Sequence, residues 1–133
     1  MVMKGKVFTI TTFVLLATAI STSAFYSTLS VHKNDNLLSY RAQTTTNQNA
    51  SHCSVTISFI NSNGSYTYIE SASDKLGPYE SGRALNATVS NDAFNGFGAK
   101  GVYSEHYANE DNDYQEDTHK GTFDSNGNLR LQW

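Results

Sequence analysis

Residues 53–70 read CSVTISFINSNGSYTYIE, and this stretch restricts the fold more than any other. Cys53, Val55, Ile57 and Phe59 alternate with Ser54, Thr56 and Ser58. A period of two places the two sets on opposite faces of a strand. Asn63-Gly64 follows, between two runs rich in β-formers. Both residues tolerate the positive φ of a tight hairpin turn, so the chain doubles back into a second strand. The same grammar returns in GTFDSNGNLRLQW, residues 121–133, around Asn126-Gly127. There Leu129, Leu131 and Trp133 share one face, opposite Arg130 and Gln132.

Between the two hairpins the signal is weaker but of the same kind. ALNATVS, residues 84–90, sets Leu85, Ala87 and Val89 on one side. GVYSEHYA, residues 101–108, sets Tyr103, Glu105 and Tyr107 against Val102, Ser104 and His106. Gly77-Pro78 breaks regular structure and marks a turn. Gly, Asn and β-branched residues interrupt every helical period after the first twenty or so residues. The predicted fold is all-β: a small antiparallel β-sandwich or barrel of about five to seven strands over 53–133, with its many aromatics filling the core.

The N-terminal part divides in two. Lys4 and Lys6 precede an uncharged run, VFTITTFVLLATAI, at 7–20, and small residues lead to Ala24. The run falls short of the roughly 20 apolar residues of a membrane span. It fits the apolar region of a secretory signal, so 1–24 is expected to be a signal peptide with cleavage after Ala24 or Ser23. The expected location is extracellular, with no stable membrane span in the mature chain. Residues 25–52 show no period, and TTTNQNAS is poor in apolar groups. They are expected to be a linker, a pro-segment or a flexible arm. With one cysteine, Cys53, the chain cannot staple itself. Cys53 is in phase with Val55, which suggests a buried small side chain; a dimer through an intermolecular Cys53 bridge is the sharper alternative.

Charge excludes one class of partner. From Cys53 to Trp133 eleven acids face five bases. That surplus repels phosphate backbones and anionic lipid headgroups, which argues against nucleic acid. Glycans, neutral lipids, cations and proteins remain open.

The acids concentrate in SEHYANEDNDYQEDTHK, residues 104–120. Ca²⁺ takes six to eight oxygens, often from closely spaced carboxylates. Asp111, Asp113, Glu116 and Asp117 are the candidate ligands, although the helix–loop–helix Ca²⁺ pattern fails at its glycine and at its closing Glu. The plainer reading is a solvated loop between strands. His106 and His119 match no helical Zn²⁺ spacing and read as surface histidines. FNGFGAKG contains G-x-G-x-x-G, but a strand-like run follows where the dinucleotide motif needs a helix, so a sharply turning β segment is expected. Asn49, Asn63 and Asn86 each begin an N-x-[ST] triplet.

No G-x-S-x-G supports a nucleophilic serine, and no residue stands out as catalytic. A tyrosine offers an apolar ring and a polar tip, so tyrosines gathered on one face can hold a sugar or a lipid headgroup. Tyr103, Tyr107 and Tyr114 are the candidate ligand-binding residues. The leading expectation is a secreted, non-enzymatic binding module that recognises a cell-surface glycan, lipid or protein, of a toxin-like or antagonistic kind. The alternatives are a secreted hydrolase using His106 and nearby carboxylates, and a structural or matrix protein that assembles through strand edges or Cys53.

Overall fold

A computed structural model describes residues 25–96, 98–110 and 113–132. The expected signal peptide, 1–24, lies outside them. Eight strands follow one another: β1 Phe25–Asn34, β2 Leu37–Thr46, β3 Ala50–Ile60, β4 Tyr66–Lys75, β5 Asn86–Asn95, β6 Gly101–Glu110, β7 Asp113–Phe123 and β8 Leu129–Gln132. No helix occurs among the described residues, so none there is long and apolar enough to cross a membrane. The strands form two sheets, ordered β1-β2-β5 and β4-β3-β6-β7-β8, and every pairing is antiparallel. The sheets pack face to face, and only a single bridge, His32 to Asn128, links the β1 edge to the β7–β8 turn, so no barrel closes among the described residues.

The alternation in the sequence sets which side faces in. Cys53, Val55, Ile57 and Phe59 of β3 are buried against Leu38, Tyr40 and Ala42 of β2 and Ala87 and Val89 of β5. Tyr40 and Phe59 each meet Phe94 edge-on, at 5.9 and 5.4 Å between ring centroids. Burying side chains of this kind contributes roughly 1.5–3 kcal/mol apiece. Both Asn-Gly hairpins form: β3–β4 turns at Gly64, φ +90°, and β7–β8 at Gly127, φ +83°. The Gly-rich stretch is a turn that carries the chain from β5 in one sheet to β6 in the other, with no helix after it. Gly101 is required there for space: a Cβ would stand 2.2 Å from the Gly121 carbonyl oxygen on β7.

Residues 25–52 correct the expected flexible arm. They supply β1, β2 and the start of β3, and they build most of the smaller sheet. Phe25, Ser27, Leu29 and Val31 all point inward from β1 and are buried, as are Leu38, Tyr40, Ala42, Thr44 and Thr46 from β2. The strands meet at a two-residue turn, Asn34 opposite Leu37, where Asp35 adopts φ +56°. Ser27, Thr44 and Thr46 put hydroxyls at inward positions, and that polarity hides the period of two.

Candidate functional site

Residues 104–110 and 113–120 are paired strands, not a loop. β6 and β7 pair from Gly101 opposite Thr122 to Glu110 opposite Asp113. Alternation then sorts their side chains onto two surfaces.

The outward set makes a tyrosine face. On β6, Tyr103, Glu105 and Tyr107 are flanked in register by Ser58, Thr56 and Ser54 of β3. On the other side stand Lys120, Thr118 and Glu116 of β7. Two stacked pairs bracket the middle. Tyr66 of β4 stacks on Tyr103 at 4.7 Å, and Tyr114 of β7 stacks on Tyr107 at 5.5 Å. Glu105 lies between the pairs, and Oε2 accepts from the Tyr103 and Tyr107 hydroxyls at 3.4 and 3.3 Å. Partial burial, and then the Glu105 carboxylate, push the Tyr103 phenol up to about 12 and raise Tyr107 in the same way. Both rings therefore stay neutral donors at physiological pH. Lys120 Nζ lies 6.0 Å from the Tyr66 ring, a cation over an aromatic face. Tyr66, Tyr68 and Tyr114 are all exposed.

The three expected tyrosines thus share one surface, and Tyr66 completes it. Its place was implicit in the Asn63-Gly64 hairpin, whose register sets Tyr66 opposite Ile60 and Tyr68 opposite Ser58. The alternation of β3 alone does not reveal that register, because a bulge intervenes between Ile57 and Ser58.

The inward set holds the histidines, which corrects their expected surface position. His106 is fully buried and His119 nearly so. His106 Nδ1 lies 2.9 Å from Thr44 Oγ1 and its Nε2 lies 2.8 Å from Ser104 Oγ. His119 Nε2 lies 2.9 Å from Ser27 Oγ, and that hydroxyl donates to Asp117 Oδ2 at 2.6 Å. The two rings stand edge to face, 5.2 Å apart. Ser27, Asp117 and His119 have the residue types of a nucleophilic triad but not its order. Asp117 approaches the same ring nitrogen that faces the serine, at 3.7 Å, and not the far one. Ser27 is also sealed from solvent. His106 is equally sealed.

Of the Ca²⁺ candidates, the three described do not converge. Asp113 and Glu116 are exposed, Asp117 is partly buried, and Glu116 and Asp117 point to opposite faces of β7. Asp111 lies outside the described residues. Among those described, no group of three or more His, Cys, Asp or Glu side chains is placed to hold a metal ion. Cys53 is likewise closed to a partner. It is fully buried, Sγ lies 3.8 Å from the Thr44 carbonyl oxygen, and burial raises its thiol to about 11. An intermolecular bridge would require the sandwich to open first.

No family model matches the chain, and no curated protein or solved structure matches it either.

Proposed function

We propose that the chain is an extracellular, non-enzymatic binding module whose ligand is a neutral glycan laid across the outer face of the five-stranded sheet. The stacked pairs Tyr66–Tyr103 and Tyr107–Tyr114, on either side of Glu105, carry this reading. Four residues of strand separate Tyr103 from Tyr107, or about 13 Å. Their hydroxyls converge on Glu105 Oε2, so one ligand can touch both. A sugar ring offers C–H groups to an aromatic ring and hydroxyls to its surroundings, and tyrosine answers both needs. Hydroxyls of Ser54, Thr56, Ser58 and Thr118 line the same rows beside the Glu105 acceptor. The outer face of the other sheet has no such arrangement: Thr28, Ser30, Arg41, Gln43 and Thr45 surround one exposed ring, Tyr26. Toxin-like or antagonistic action would follow from what such binding blocks.

The test is a glycan and neutral-lipid array probed with residues 25–133, wild type and Tyr103→Ala/Tyr107→Ala. Binding to linear oligosaccharides that the double variant loses at least tenfold supports the reading. Binding that survives the double variant, or binding to lipid alone, overturns it.

A further inference from the structure

The tyrosine face leaves unused a polar layer deep in the sandwich. We propose that His106, packed beside His119, is an acid-operated latch between the two sheets: neutral, it ties β2 to β6 while His119 fastens β1 to β7, and a second proton on His106 lets the sheets part.

The hydrogen-bond directions define the closed state. Thr44 Oγ1 donates its one proton to the Ser54 carbonyl at 2.9 Å, so toward His106 it is an acceptor. His106 therefore carries its proton on Nδ1, and its bare Nε2 accepts from Ser104. Ser27 donates its proton to Asp117, so it accepts from His119 Nε2–H. Thr44 and Ser27 belong to the smaller sheet and both histidines to the larger one. Each histidine thus fastens a different strand across the interface, through a tautomer that the neighbouring hydroxyl dictates.

A second proton on His106 is favoured only by the Gln43 backbone, and burial outweighs it. From β1 and β2 the inward neighbours are Ser27, Ala42, Thr44 and Thr46, without charge. β3 presents Val55 and the Cys53 thiol. β6 presents Ser104, Ala108 and, at its far end, Glu110. β7 presents Asp117, opposite His106 in register, with its carboxylate turned toward Ser27 and His119. The two nitrogens of His106 meet hydroxyls, and the nearest ring is another histidine. Burial first, and His119 second, hold its pKa down to about 3.

The sign follows. The unfolded chain takes up this proton below about 6.5, and the closed sandwich refuses it down to about 3. Stability from this group is complete above 6.5 and is lost as pH falls. Between pH 7 and pH 5 the loss is roughly 25-fold in the folding constant.

The experiment is urea unfolding of residues 25–133 at pH 7 and pH 5, wild type beside His106→Gln, with ring-nitrogen NMR of the wild type. The wild type should lose about 25-fold more than the variant, and backbone exchange should quicken in β1 and β2 before β3. Should His106→Gln fail to fold, the wild-type ring decides: it should show the Nδ1–H tautomer and stay uncharged at pH 5 while folded. Equal losses in the two proteins, or a folded His106 titrating near 6.5, would overturn the latch.

Discussion

The two sides of β6 are built from neighbouring residues and do opposite work. Inward, Ser104 and His106 are sealed and their polar atoms are paired with named partners. Outward, Tyr103 and Tyr107 are only partly covered and lean on rings from β4 and β7. The histidines, which look chemical, hold the fold together. The tyrosines, which look like core, form the candidate site. Residue type alone therefore assigns neither role. What decides is whether a side chain's partners lie across the interior or along the surface.

The largest effect should come from the inward side. His106→Ala removes a fully buried ring and strands the Ser104 hydroxyl, while Thr44 loses its donor from the ring. Urea unfolding should show a loss of about 3 kcal/mol or more. Tyr103→Ala should cost less, about 1 kcal/mol, because it loses one stack and little burial. Equal costs for the two would break the contrast between the faces.

Ser27→Ala sits between these. It removes the hydroxyl that joins Asp117 to His119 across the sheets, and about 1–2 kcal/mol should go with it. A loss below the scatter of the unfolding measurement would mean that water replaces this link. The smallest effect on stability belongs to Glu105→Gln on the outer face, within about 0.5 kcal/mol. The amide still accepts from both tyrosines, so a change in glycan affinity without a change in unfolding would sharpen the division of labour.

Cys53 gives a kinetic version of the same comparison. A thiol reagent at pH 8 should leave it unmodified in the folded protein and label it fully in urea, because the core closes over it. Rapid labelling in the folded state would show that β3 does not present this side inward.

The sequence made the larger sheet legible and the smaller one not, for a physical reason. Val55, Ile57 and Phe59 announce their face because every inward residue is apolar. On β1 and β2 the inward set includes Ser27, Thr44 and Thr46, whose partners are on strands or loops distant in sequence. A hydroxyl that bonds a histidine 92 residues away reads as solvent-facing until that histidine is placed. The same blindness made His106 and His119 look like surface residues. Tyr103 and Tyr107 were readable as one face because their spacing is local, whereas the part played by Tyr66 depended on the register across the β3 bulge.

The central claim is that ligand meets the outward side of β6 and nothing meets the inward side. Adding the best array glycan to residues 25–133 while recording aromatic-ring NMR tests it directly. The rings of Tyr66, Tyr103, Tyr107 and Tyr114 should shift in proportion to bound glycan, with those of His106 and His119 unmoved. Shifts confined to the histidines or to Tyr26, or no ring shift with any glycan, would contradict it.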